Sequence, residues 1–205
     1  MDELIYYGQK MVEKGLSFAT GGNLSRRLDG ETYKITPSGQ AYASLKDQDL
    51  VTMNLEGKIL QGEKPSTEYH FHQGIYRAYP EAKAVVHTHS EYINILSILD
   101  KPLACIHYLM AEAGPDPIEV APYASFGTED LARNALGAFG RNKAVILSHH
   151  GLVTFGSSVK EAFSQARTLE FCAKIYIKAL SVGNPSSLSI EEMEKMVDRF
   201  KSYGK

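Results

Sequence analysis

Cysteine is scarce in this chain. Of 205 residues only Cys105 and Cys172 are cysteines, far apart and each set among apolar neighbours, which excludes a disulfide framework and reads as two buried, reduced thiols. An excess of one charge is also missing: 22 Lys and Arg against 24 Asp and Glu leave a net charge of −2, with the basic residues scattered. That leaves no electrostatic footprint for nucleic acid or an anionic membrane surface. No segment approaches the ~20 apolar residues that crossing a bilayer takes, and Met1-Asp2-Glu3 opens no basic or long apolar leader. The expectation is a cytoplasmic protein with no membrane anchor and no nucleic-acid partner. A Gly-Lys-Ser/Thr phosphate loop is absent too, which argues against nucleoside triphosphate binding. With no fixed repeat period and no Pro/Gly/Ser-rich linker, residues 1–205 read as a single domain large enough to bury a core.

What is there alternates between helical and extended patterns. Leu4, Ile5, Tyr7, Met11 and Val12 fall near helical spacing before Gly15, a left-handed cap. Residues 20–57 hold short apolar stretches broken by turns at Pro37-Ser38-Gly39 and Glu56-Gly57, the pattern of strands and hairpins. Ser66 and Thr67 are placed to cap a helix running to about Tyr79, with Glu68 in its first turn facing the positive end of the dipole. A strand over 84–89 leads into a helix capped by Ser90; Thr128 opens a helix to about Phe139, followed by a strand over 143–148. Ser158 with Glu161 and Ser189 with Glu192 form capping boxes for the last two helices, the first reaching Ser181 and ended by Gly183. The fold class predicted is α/β: a central mixed or antiparallel sheet flanked by helices in layers.

The chemistry-bearing residues begin with Ala84-Val85-Val86-His87-Thr88-His89. Residues two apart on a strand share a face, so His87 and His89 project side by side. Ser148-His149-His150-Gly151 follows a second apolar run, as though leaving a neighbouring strand at the same end. A third histidine and one acid would complete a roughly tetrahedral zinc shell, and His150 and Glu68 are the residues chosen for it. The competing reading of His-x-His, a hydrogen-bonded core pair, stays open at this point. His72, four residues from Glu68 on one helical face, suits a hydrogen bond behind the metal shell. His149, if extended, points away from His150, and His107 reads as structural.

Taken in order, Thr20-Gly21-Gly22-Asn23, Ile35-Thr36-Pro37-Ser38-Gly39, Pro65-Ser66-Thr67-Glu68, Val86-His87-Thr88-His89, Ile106-His107-Tyr108, Ala121-Pro122-Tyr123-Ala124-Ser125-Phe126-Gly127, His149-His150-Gly151-Leu152 and Phe200-Lys201-Ser202-Tyr203-Gly204 resemble the class II aldolase/adducin family over nearly the whole chain. The resemblance implies one Zn2+ per subunit, with Co2+ or Mn2+ as substitutes, held by Glu68, His87, His89 and His150. It implies reversible cleavage of a ketose 1-phosphate such as L-fuculose 1-phosphate into dihydroxyacetone phosphate and a short aldehyde such as lactaldehyde. It also implies a homotetramer with active sites between subunits. Glu68 would serve both as ligand and as proton carrier, and Tyr108, reaching a neighbour's site, would serve the aldehyde oxygen. Thr20, Gly22, Asn23, Ser38, Gly39, Ser66 and Thr67 match the phosphate site, and Phe126, Phe200 and Tyr203 the aldehyde pocket.

Such chemistry needs a Lewis acid for the charge that appears on the ketose oxygen as the carbon–carbon bond breaks, and no lysine Schiff base. The motifs accord with this, because Lys201 is the one lysine within them, with Lys34, Lys64 and Lys205 beside them. Rival readings on the same scaffold are a ribulose-phosphate 4-epimerase, which usually carries aspartate where this chain has Glu68, and a sugar-phosphate dehydratase. A non-enzymatic rival is an adducin-like interaction domain, which predicts loss of the ligands that are all filled here.

Overall fold

The computed structural model describes residues 1–202. Along the chain come α1 (Glu3–Glu13), β1 (Asn23–Arg27), β2 (Thr32–Ile35), β3 (Val51–Asn54), β4 (Ile59–Gln61), α2 (Tyr69–Ala78), β5 (Ala84–Thr88), α3 (Glu91–Ile98), β6 (Val120–Ala121), α4 (Glu129–Ala138), β7 (Ala144–Leu147), β8 (Gly151–Gly156), α5 (Val159–Leu180) and α6 (Ile190–Ser202), with a 3-10 turn over Tyr108–Glu112. The strands form one sheet in the order β4-β3-β2-β1-β5-β8-β7-β6. Every neighbouring pair is antiparallel except β6 with β7. The expected mixed sheet with helices in layers is what the chain adopts.

Strand alternation sorts the core into two faces. On one, Val85, Val145, Val153 and Phe155 meet Phe71, Ile75 and Tyr76 of α2 and Leu131 and Ala135 of α4. On the other, Ala84 and Val86 lie with Leu4, Ile5 and Met11 of α1 and the start of α5, while Ile146 and Leu152 lie under α3, α5 and α6. Each fully buried side chain of this size contributes about 1.5–3 kcal/mol. Because β5 and β8 are covered on both faces, all their residues are buried. The centre of the sheet is therefore the rigid part, and its C-terminal β5 end carries the histidines.

Local chemistry departs from some of the expected caps. Helix α2 starts at Tyr69 with Glu68 itself at the N-cap, and the Glu68 side chain makes no capping bond. Ser66 takes part instead, its Oγ accepting from the Glu68 N–H at 3.3 Å and its carbonyl from the Tyr69 N–H at 3.2 Å. Glu68 is thus left to point elsewhere. At α3 the Ser90 hydroxyl caps nothing; the Glu170 carboxylate of α5 accepts from the Tyr92 and Ile93 N–H groups, both at 3.0 Å. A carboxylate at a helix N-terminus satisfies the same orphan donors with added charge, so the tertiary cap wins over the local one. Thr128, Ser158 and Ser189 accept from the Leu131, Glu161 and Glu192 N–H groups as N-caps, but the expected capping box at Ser158 is only half made, because the Glu161 carboxylate accepts from the Ser157 N–H instead of the Ser158 N–H. Cys105 and Cys172 are buried free thiols, and burial pushes them up to about 11 and about 12.

Candidate metal centre

Glu68, His87, His89 and His150 each bring one donor atom to a common point, all within 4.8 Å of one another. His87 Nε2 lies 2.8 Å from His89 Nε2, 3.3 Å from His150 Nε2 and 3.3 Å from Glu68 Oε2, and His150 Nε2 lies 3.1 Å from Glu68 Oε1. Donors about 2.0–2.1 Å from a tetrahedral zinc stand ~3.3 Å apart along each edge. With Glu68 Oε1 as the carboxylate donor, the His87–His150 and His150–Glu68 separations fit that figure, and the His87–His89 edge is tighter. His87 Nδ1 donates to the Leu152 carbonyl at 2.9 Å, which in a neutral ring leaves Nε2 as a bare lone pair aimed at the other donors. Glu68 Oε1 is buried and has no hydrogen-bond donor among the described residues. Such donors around a carboxylate with an unsatisfied oxygen form a group that could hold a divalent cation, and the 2.8 Å His87–His89 contact is also short enough for the hydrogen-bonded pair that His-x-His alone left open.

The electrostatics agree. Burial by itself would raise the Glu68 carboxyl, but in the metal-free protein the charge and N–H groups of the His87 and His150 rings, when protonated, overcome that and hold it far below the carboxylate range. Burial first, then His87 and His150, press His89 down to about 3 against the opposing pull of Glu68. Both groups are therefore in the state that binds a metal.

The fold brings the four together across long sequence distances. His150 does not leave a strand adjacent to β5, as the sequence suggested, because β8 lies between β5 and β7. It sits in the β7–β8 turn, beside the end of β5 where Thr88 pairs with Leu152. In that turn His149 has a left-handed φ of 53°, so the expected extended pair with opposed side chains does not form. Ser97 pins the turn: its Oγ donates to the Leu147 carbonyl at 2.7 Å and accepts from the His150 N–H at 2.8 Å. A Cβ on Gly151 would strike the Thr88 carbonyl oxygen, so glycine is required for His150 to come this close.

Behind Glu68 lies a buried polar chain. Asn23 Nδ2 donates to Glu68 Oε2 at 2.9 Å, Asn23 Oδ1 and His72 Nε2 are 2.5 Å apart, His72 Nδ1 and Ser25 Oγ 2.7 Å, and Ser25 Oγ and Tyr76 Oη 2.7 Å. Burial, then the neighbouring His87, push His72 down to about 3, so its ring is neutral. His72 indeed stands behind the shell, but through Asn23 and not by touching Glu68.

In front of Glu68, His89 and His150 opens a cleft of about 320 Å³, also lined by Thr67, Tyr123, Ala124, Phe126 and His149. Of the aldehyde-pocket residues Phe126 is here, 71% exposed. Tyr108 and Phe200 are not: their rings stack 6.4 Å apart in a separate groove with Leu109, Glu112, Met196 and Arg199. Tyr203 lies outside the described residues. The phosphate-site segments do meet, since the Ser66 N–H donates to the Thr36 carbonyl at 3.0 Å, the Ser38 N–H to the Lys64 carbonyl at 3.2 Å and the Leu24 N–H to Thr36 Oγ1 at 3.2 Å. Thr20 and Gly39 are exposed at their turns and Gly22, with φ +72°, would carry a Cβ 2.6 Å from the His87 carbonyl oxygen. Asn23, expected at the phosphate, instead has its carboxamide engaged between Glu68 and His72. Ser97, Ser25 and Tyr76 were not foreseen, because no local pattern marks a hydroxyl whose partner is about fifty residues away.

Comparison with known proteins gives a consistent picture. A 5-deoxy-D-ribulose 1-phosphate aldolase of Bacillus thuringiensis serovar kurstaki is 41% identical over 99% of this chain and 96% of its own length. An L-fuculose phosphate aldolase of Haemophilus influenzae is 40% identical over 95% and 90%. A solved L-fuculose 1-phosphate aldolase superposes with a TM-score of 0.94 at 40% identity, covering 97% of this chain and 94% of that one. Residues 2–177 match the profile of the class II aldolase and adducin N-terminal domain. Since both the sheet that carries the four donors and nearly the full length of these aldolases are shared, the chain belongs to the class II aldolase/adducin family as one of its aldolases, a lyase.

Proposed function

We propose that the chain is a zinc-dependent aldolase that reversibly cleaves a ketose 1-phosphate of the L-fuculose 1-phosphate kind into dihydroxyacetone phosphate and a short aldehyde such as lactaldehyde. The observation that carries this is the position of the donor cluster, at the floor of a cleft with the unsatisfied Glu68 Oε1 among its atoms; a structural zinc site would be closed. A divalent cation held by Glu68, His87, His89 and His150 would supply Lewis-acid stabilisation of the charge developing on the ketose oxygen. In cleavage the C4 hydroxyl loses its proton as the C3–C4 bond breaks, the aldehyde departs, and C3 gains a proton. Glu68, kept ionised by its imidazole neighbours, is the group suited to carry the C3 proton in either direction. The phosphate end is assigned to Thr20, Gly22, Ser38, Gly39, Ser66 and Thr67, whose segments are tied together beside Glu68. Phe126 gives the aldehyde half an apolar wall, and relatives named for L-fuculose phosphate and for 5-deoxy-D-ribulose 1-phosphate support a substrate ending in a methyl group.

Tyr108 and Phe200 keep their assigned roles at the aldehyde only if a second copy of the chain supplies them, which is the reading adopted, with a homotetramer as the assembly. The test is a product assay on L-fuculose 1-phosphate, 5-deoxy-D-ribulose 1-phosphate and pentulose 5-phosphates, with Glu68→Gln and His89→Ala as controls. Dihydroxyacetone phosphate from a 1-phosphate supports the reading. An epimerised pentulose phosphate without cleavage rejects it.

A further inference from the structure

We propose that His72 is a positioning residue whose Nε2–H holds the Asn23 carboxamide in the one orientation that presents its NH2 group, and never its oxygen, to the Glu68 carboxylate. The inference rests on the reading of Glu68 as metal ligand and proton carrier. Its parts are buried throughout: Asn23 is 4% exposed, Ser25 and His72 0%, Tyr76 1% and Glu68 6%. In such surroundings every donor must find an acceptor, so the directions of the bonds follow from the ends of the chain. An ionised Glu68 accepts only, so Asn23 turns Nδ2 toward it and Oδ1 toward His72. His72 Nε2, 2.5 Å from that oxygen, must then carry the proton. Nδ1 is left as acceptor for the Ser25 hydroxyl, and the Ser25 oxygen accepts from the Tyr76 phenol, at 2.7 Å each.

An asparagine amide can flip at little cost when nothing distinguishes its two ends. A flipped Asn23 would set an oxygen 2.9 Å from the Glu68 carboxylate and remove a donor from it. The Tyr76–Ser25–His72 chain supplies the distinction from its other end: the partner of the Tyr76 phenol among the described residues is Ser25 Oγ, so the phenol donates there, the Ser25 hydroxyl donates to His72 Nδ1, and the proton stays on Nε2. The consequence at the cleft is a division of labour between the Glu68 oxygens. Oε2 is tethered by Asn23, and Oε1, which has no donor among the described residues, is the oxygen left to meet cation and substrate. The tether also blocks proton conduction away from the site, since an amide link cannot pass a proton along as a hydroxyl or imidazole does.

Two measurements test this. In the full-length wild-type protein, loaded with zinc and again after chelation, long-range 1H–15N correlation of the imidazoles reads the His72 tautomer. The expected spectrum has Nε2 protonated and Nδ1 bare in both states; an Nδ1–H tautomer overturns the proposal whatever the activity. Kinetically, His72→Phe keeps the ring volume but removes the donor, and His72→Gln restores an N–H near the Nε2 position. The phenylalanine variant is expected to lose kcat on the order of tenfold with KM within about twofold, and the glutamine variant to recover most of it. Equal kcat in both folded variants, or a loss seen only in KM, overturns the positioning role. If His72→Phe does not fold, His72→Gln at less than about a third of wild-type kcat does so as well. If no ketose 1-phosphate is cleaved by the wild type, the functional reading fails while the tautomer result still stands or falls by itself.

Discussion

Glu68 stands where ligand and proton carrier coincide, and its environment is what allows both. Removing its charge while keeping its shape separates the roles: Glu68→Gln is expected to lower kcat by at least about a hundredfold, in a product assay run with saturating zinc, and to fold normally. A variant within a factor of two of wild type would deny Glu68 any role in proton transfer. The neighbouring histidines set a pH signature for the metal-free protein. His72 and His89 are held at about 3 when folded, against 6.5 when unfolded, so below that pH the unfolded chain takes up protons that the folded chain refuses. Stability is therefore full above about pH 6.5 and is lost as pH falls toward 3, by about 1.4 kcal/mol per pH unit for each group at mid-range. Glu68, also depressed, adds to the loss only below its ordinary 4.5. Urea unfolding in chelator at about pH 7.5 and 5.5 should show the lower value at 5.5; equal stabilities would contradict the assigned burial.

Among elements, the β7–β8 turn is the part that delivers His150, and Ser97 of α3 holds it with two hydrogen bonds from one hydroxyl. Ser97→Ala removes both of these bonds and leaves the His150 N–H and the Leu147 carbonyl only their mutual bond at 3.1 Å, so it should cost about 0.5–1.5 kcal/mol of stability and weaken Zn2+ binding by about tenfold. Chelator competition and urea unfolding read both; an unchanged zinc affinity would mean that the turn holds itself. Much of this centre was legible in the sequence. His87 and His89 follow from strand alternation in a run whose apolar composition demands burial, and His150 from a turn directly after a second such run. Glu68 followed from the hydroxyls before it, although the helix begins one residue later than they suggested and leaves the carboxylate at the N-cap. What could not be read were contacts made only by topology. The insertion of β8 between β5 and β7, the Glu170 cap on α3 and the Asn23–Glu68 bond depend on which strands and helices become neighbours. No periodicity encodes that.

At the scale of the whole molecule the covered centre of the sheet, β1, β5 and β8, acts as the rigid base from which the donors project, and no helix among the described residues is long and apolar enough to cross a membrane. Tyr108 and Phe200 stack in a groove apart from the donor cleft, and this separation bears on assembly. If the site is completed by a second copy, Glu68→Gln and Tyr108→Phe, each impaired alone, should complement when their subunits are mixed and exchanged, since about a quarter of randomly formed interfaces then hold both native residues. Recovery of activity well above the mean of the two separate variants is the expected outcome; strict additivity would place each site within one chain. The most direct test of the account is the release of dihydroxyacetone phosphate from L-fuculose 1-phosphate and 5-deoxy-D-ribulose 1-phosphate by chelator-treated protein during titration with Zn2+. Activity that is absent at first and rises to a plateau at one zinc per chain is predicted. Cleavage that persists undiminished in metal-free protein, or never appears in zinc-loaded protein, would contradict it.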